Sequence, residues 1–307
     1  MRRFALVLLL LPVLSGCYIL TQGYGQLRIL LDSRRLDDLL ADPTVPDETK
    51  LKLMFVREVK SFGEHELGLT RSANYESFYD TKGRPITYIV SACRKDRFQP
   101  HTWWFPIVGD VPYKGFFSQA DAQAEAEGLE KQGYDVSLGM AAAYSTLGYF
   151  PDPVLSTMLE YPEEQLAALI LHELTHGTIY LPGGTDFNEG LASFVGWQGA
   201  LEFARKERGI SSYAYDRTVR AFAAEERRDA RARDLYQKLD QLYHSTLPRE
   251  QVLLERDKIA GKKVNNAEIL MQRRYGRYDE FRERFERGGG SWRAFFESLV
   301  RDKGGQG

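Results

Sequence analysis

Cysteine is almost missing from this chain: Cys17 and Cys93 are the only two among 307 residues. That excludes a disulfide framework and any multi-cysteine zinc or iron–sulfur site. Neither sign of charge prevails, with 41 Lys+Arg against 43 Asp+Glu and a formal charge of −2. A strongly basic chain built to coat nucleic acid is therefore excluded. The apolar run Phe4–Leu14 is too short to span a bilayer. Histidine is scarce, at five residues. What is present is ordinary globular material, 43% hydrophobic and 27% charged. The length suits one large or two small domains and buries a core without staples.

The start of the chain reads as an address. Arg2 and Arg3 precede the short apolar run, and Leu14-Ser15-Gly16 leads into Cys17. A positive start, a short apolar stretch and small residues form an export signal, here residues 1–16. Small residues before a cysteine resemble the lipobox of bacterial lipoproteins. That resemblance implies cleavage before Cys17 and a lipid anchor on its sulfur, with at least two acyl chains to hold the chain on a membrane. Tyr18 stands where an inner-membrane retention signal would place Asp, which favours the outer membrane in an organism that has one. Loss of Arg2 and Arg3 takes the formal charge from −2 to −4. Cys93, beside Val90 and Ala92, is left without an intramolecular partner and reads as a small core residue.

Apolar periodicity divides the rest. Leucines 27, 30, 31, 36, 39 and 40 predict one helix over 18–42, ended by Asp42-Pro43, and Pro46 opens a second through Gly63. Tyr75–Tyr79, a turn at 80–83 and Pro85–Cys93 read as strand, turn, strand. Trp103–Phe117, aromatic and rich in Pro and Gly, reads as irregular strands and a functional loop, Ser118–Gln132 as an alanine-rich helix closed by Gly133, and Asp135–Ser145 as a strand. From Pro162 onward helices are expected near 162–180, 188–208, 213–244, 248–272 and 277–300, with Gly288–Gly290 as a joint. The fold class is α+β, with a mixed part over 17–161 and a helical part over 162–307.

Residues 172–176 read His-Glu-Leu-Thr-His, inside the helix that follows Tyr161-Pro162-Glu163-Glu164. Four residues of α-helix turn by about 400°, so His172 and His176 stand one above the other and can ligate one Zn²⁺. Glu173 lies about 100° round the helix, where a base would flank the metal. The third ligand is expected from Glu189, after the turn Leu181-Pro182-Gly183-Gly184-Thr185, with Asp186 as its rival. Asp186 or Asn188 is expected to cap the following helix and put Glu189 in its first turn. Ala192, Gly196, Gly199 and Ala200 form a smooth stripe that would let the two helices approach closely.

His172-Glu173-Leu174-Thr175-His176 followed by Asn188-Glu189-Gly190-Leu191-Ala192 resembles a gluzincin metallopeptidase, with a shorter gap between His176 and the glutamate. The chain is more closely similar to the bacterial putative aminopeptidase family of predicted lipoproteins. That likeness rests on Cys17, Gly25-Gln26, Trp104-Phe105-Pro106, the segment Val111 to Phe117, Ala143 to Phe150, and Asp152-Pro153. It implies a zincin-like fold with an active-site helix pair and one catalytic zinc.

The roles then expected are His172, His176 and Glu189 as metal ligands, Glu173 as the base, and a tyrosine donating to the oxyanion. Tyr180, Tyr113 and Tyr144 are the candidates. A peptide substrate could pair with an exposed edge strand of the N-terminal part. An acid to hold the substrate amine stays open among Glu160, Glu163, Glu164 and Asp186. His65, His101 and His244 read as surface or satisfied histidines. No nucleic acid or protein partner is expected. Two other readings stay open: an endopeptidase with the same site, and a lipid-anchored envelope binding or assembly protein whose zinc is structural or vestigial.

Overall fold

In Leu166, Ala167, Ile170, Leu171 and Leu174 the apolar positions recur every three to four residues, and all five are 2% exposed or less. They make one face of a helix, Glu163–His176, and lie in the main core. The computed structural model describes residues 25, 27–105, 109–140, 151–275 and 278–304. Among these, the strands are β1 (Arg34–Arg35), β2 (Ser77–Tyr79), β3 (Tyr88–Arg94), β4 (Trp103–Phe105), β5 (Gly109–Val111), β6 (Lys114–Phe116), β7 (Tyr134–Met140) and β8 (Val154–Leu155). The helices are α1 (Leu36–Ala41), α2 (Asp47–His65), α3 (Gln119–Lys131), α4 (Glu163–His176), α5 (Thr185–Phe203), α6 (Tyr213–Tyr243), α7 (Arg249–Ala260), α8 (Asn266–Tyr275), α9 (Tyr278–Arg287) and α10 (Trp292–Gly304). The class is α+β, with small sheets and a helical C-terminal region.

The described sheets are short: β1-β2-β8, β6-β3-β7 and β4-β5. In the second, β3 runs antiparallel to both neighbours, with Val90 opposite Lys114 and Leu138. Helix α3 covers one face of it, burying Ala122, Ala126 and Leu129 against Val90, Ala92 and Phe116. Ser118 starts α3 by accepting from the backbone N–H of Asp121, and Gly133 ends it with φ 83°.

Helix α5 is the hub. Phe194, fully buried, meets Phe281, Phe285, Trp292 and Phe295 of α9 and α10 with ring centres 5.5–6.3 Å apart. Trp197 stacks on Phe222 of α6 at 5.8 Å.

Two expected helices are interrupted. Over 18–42, of which 25 and 27–42 are described, the helix stops at residue 32. Arg34 and Arg35 leave it to pair with Phe78 and Ser77, and the Leu36 N–H bonds to the Glu76 carbonyl. Leu27 and Leu31 are consequently exposed, whereas Leu36 and Leu39 are buried. Over 248–272, Gly261 takes a left-handed conformation (φ 65°) that closes α7. Asn265 then accepts from the N–H groups of Ala267 and Glu268 and opens α8.

Candidate metal centre

The chain passes from α4 to α5 through a turn whose residues follow its geometry. Pro182 sits second and Gly183 third, with φ 75°, and the Gly184 N–H returns to the Leu181 carbonyl at 3.0 Å. That is a type II turn, which needs positive φ at its third residue. Thr185 begins α5 directly after it, with no side-chain cap. Asn188 does something other than the capping expected of it. Its buried amide accepts from the Leu181 N–H and donates to the Leu181 carbonyl, both at 2.8 Å. The turn is thus riveted to the residue before Glu189, which lies in the second turn of α5 and not the first.

The smooth stripe does bring the helices together. A Cβ on Gly196 would stand 2.6 Å from the Ala168 carbonyl oxygen and 3.2 Å from the His172 Cβ. On Gly199 it would meet Leu67 and Leu171 side chains at 2.7 and 2.8 Å. Backbone contact at Gly196 leaves no room for a side chain beside His172.

Across this close seam His172, His176 and Glu189 meet. The Nε2 atoms of the two histidines are 3.2 Å apart. The Glu189 Oε2 lies 3.3 Å from one and 3.7 Å from the other. The three side chains are 14%, 7% and 13% exposed. Burial disfavours the Glu189 carboxylate, yet hydrogen bonds from both histidines hold its pKa far below the usual range. Burial likewise opposes charging His176, but hydrogen bonding and attraction from Glu189 raise its pKa above the ordinary value. Among the described residues, this trio could hold a metal ion. Four ligands at about 2.0–2.1 Å from a tetrahedral cation are separated by about 3.3 Å. The observed 3.2, 3.3 and 3.7 Å fit that spacing. The Nδ1 of His172 faces Ser193 Oγ of α5 at 3.5 Å, a long contact on the side away from the trio.

Glu173 flanks this group. It is partly buried and forms no hydrogen bond or ion pair among the described residues, and its charge is felt by His176, Tyr113 and Tyr75. Tyr113 comes to the same place from the loop before β6. Burial first, then the charge of Glu189, with Tyr180 and Glu173 adding to it, keep its phenol protonated well above the ordinary tyrosine range. Tyr180 follows α4 and neighbours Tyr113. Tyr144 lies outside the described residues, as does Cys17.

Three residues at the site carried no readable signal. Ser193 is one. Tyr75 is another: it is 2% exposed, adopts φ 61°, and has its phenol raised by burial and by Glu173. A tyrosine in the left-handed region is uncommon, and its backbone is fixed there by a 2.7 Å bond from its N–H to the Asp152 carbonyl. Arg274 of α8 is the third. It pairs with Asp186 at 3.1 Å and lies over the Tyr113 ring at 5.7 Å, which commits Asp186 elsewhere than the trio. Glu164 is taken by Arg217 at 2.9 Å and stands about 12 Å down α4 from His172. Of the remaining histidines, His65 and His244 bond to carbonyls one turn back on their own helices, and His101 packs edge-on to Trp103. Cys93 is buried, and burial pushes its thiol up to about 12.

A family model described as putative aminopeptidase matches residues 17–262 of this sequence. The chain belongs to that family. The match takes in Tyr75, Tyr113, the whole α4–α5 pair and the trio, and stops before α8. Arg274 thus reaches the putative aminopeptidase region from chain beyond the match. No curated protein and no solved structure matches the chain.

Proposed function

We propose that this protein is a zinc-dependent peptidase that removes residues from the amino end of peptides, and that it works at the cell envelope on a lipid anchor at Cys17. The observation that carries the reading is the trio itself: two imidazole nitrogens and one carboxylate oxygen at tetrahedral separations, buried, with alongside it Glu173, whose side chain makes no hydrogen bond among the described residues. The family description supports the peptidase class and the amino-terminal specificity. The leader-like segment before Cys17 supports export and anchoring.

His172, His176 and Glu189 would hold the ion. Bound Zn²⁺ supplies a Lewis acid that polarises a peptide carbonyl and makes water acidic enough to attack near neutral pH. Glu173 takes the proton of the attacking water and delivers it to the departing amine. Among the described residues no group hydrogen-bonds that carboxylate, which leaves it available. Tyr113 and Tyr180 are donor hydroxyls on the rim of the trio, and the raised pKa of Tyr113 keeps its proton in place for an oxyanion.

The test is direct. Purified protein should hold one zinc per chain, and Glu173→Gln should keep that zinc while losing peptide hydrolysis by about 10²-fold or more. Full activity in that variant removes Glu173 as the base. Peptides with a free amino terminus should be cut and their acetylated counterparts left intact; equal cutting of both turns the reading to an endopeptidase.

A further inference from the structure

Two arginine side chains are buried to the same depth, each 5% exposed, and their hydrogen bonding differs sharply. Arg256 donates to the carbonyls of Lys95 and Val264 and to both oxygens of Asp135, and its buried Nε is left without a hydrogen bond among the described residues. Arg274 donates through Nε to Asp186 and through Nη1 to the Met271 sulfur at 3.3 Å. A thioether is a weak acceptor. Asp186 is itself 58% exposed, so it holds the arginine from the water side. The Nη2 of Arg274 has no hydrogen bond among the described residues. That nitrogen is not among the donors shut off from water, so it stays within reach of an acceptor brought from outside.

Its position says what the partner is near. Asp186 precedes Glu189 by one helical turn on α5, which places their Cβ atoms about 5–6 Å apart. The guanidinium also lies 5.7 Å from the Tyr113 ring centre. It therefore stands beside the trio at a remove of one or two residues of extended peptide, about 3.3–3.6 Å each. A planar fork of N–H donors matches a carboxylate, which can accept two of them at once. We propose that Arg274 is the anion-recognition group of this site and binds a carboxylate of the peptide substrate. That substrate class rests on the peptidase reading above. The carboxylate is either the far terminus of a short peptide or an acidic side chain, and the fork accepts both.

Zinc-loaded Glu173→Gln protein allows binding to be measured without turnover. Calorimetry would compare trialanine with a free carboxylate, trialanine amide, and Ala-Glu-Ala amide. At least one carboxylate-bearing peptide should bind about 10-fold or more tightly than trialanine amide, since a charge-assisted pair is at stake. Preference for the first marks the terminal carboxylate, and preference for the third marks the side chain. Arg274→Gln in the same background should abolish the preference while zinc content and melting temperature hold. Equal binding of all three peptides, or a preference that survives Arg274→Gln, overturns the assignment. Should that variant fail to fold, Asp186→Asn decides: it frees Nε from its internal competitor, so the preference must rise, and an unchanged or smaller one overturns the proposal. If trialanine amide is hydrolysed as well as the free acid, the arginine assignment fails and the peptidase stands. Selective binding by a wild type that cuts no peptide has the opposite meaning.

Discussion

Two of the buried polar clusters among the described residues are assembled on opposite principles. At Asp135 and Arg256 donors meet acceptors: the carboxylate takes two guanidinium nitrogens and the Asn266 N–H, and Asn266 in turn donates to the Arg94 carbonyl and accepts from Tyr243. That cluster fastens β3 and β7 to α6, α7 and α8. At His172, His176 and Glu189 three atoms able to ligate a metal, two imidazole nitrogens and a carboxylate oxygen, crowd within 3.7 Å of one another, with the histidines donating to the carboxylate. Once those protons leave, the same three atoms turn their lone pairs to a common point, where a cation could lie. The first arrangement ties elements of the fold together, and the second could hold a metal ion.

The sharpest way to break the comparison is to remove one carboxylate from each. Asp135→Ala leaves Arg256 buried without its counter-charge, and the loss should be about 3–5 kcal/mol, read as the same drop in melting temperature with zinc or with chelator. Glu189→Ala should behave differently. In chelator it gives up only its hydrogen bonds from the two histidines and should lose less than Asp135→Ala, while the stabilisation that zinc gives the wild type should vanish. If Glu189→Ala falls as far as Asp135→Ala in chelator, the trio is a structural cluster and not a metal site.

The seam between α4 and α5 sharpens the contrast at smaller cost. Gly196→Ala puts a methyl group against a backbone oxygen that cannot move away, and should cost about 1–3 kcal/mol together with weaker zinc binding. Gly199→Ala presses only on the ends of Leu67 and Leu171, which can turn aside. It should cost less and leave zinc affinity unchanged, as a zinc titration of the two variants would show.

The histidine pair was legible because a helix repeats every 3.6 residues, and one turn of sequence stacks two imidazoles on one face; Glu189 was legible from the turn and the Asn-Glu that follow. The small-residue stripe was legible for the same reason. Arg274 and Tyr75 were not, because they reach the site from 88 residues after Asp186 and from a strained turn well before α4. Nothing local marks either of them. The breaks at residues 33–35 and at Gly261 are of two kinds. The first is imposed from a distance by strand pairing with 77–78. The second was written in Gly261 and in Asn265 with Glu268 three residues on, but the apolar spacing ran straight across it. Tyr113 was readable only as one aromatic among several in its segment; its place beside Glu189 depends on how β6 packs.

A pH-dependent effect concerns another buried carboxylate, which belongs to neither design. Asp229 of α6 is 5% exposed and paired with Arg233 at 2.5 Å. Burial dominates that partner, with Asp279 adding repulsion, and its pKa rises from 3.8 to about 6. Folding therefore favours the protonated acid. The stability it lends is complete below about pH 4 and is lost as pH rises through 6. At 1.36 kcal/mol per pKa unit, that loss amounts to at most about 3 kcal/mol. Asp229→Asn cannot ionise and should escape it. The difference in unfolding free energy between wild type and variant should therefore shift in the variant's favour between pH 4 and pH 7, then stay level to pH 8. A difference that stays constant across that range would mean Asp229 is charged throughout, held so by Arg233 in spite of its burial.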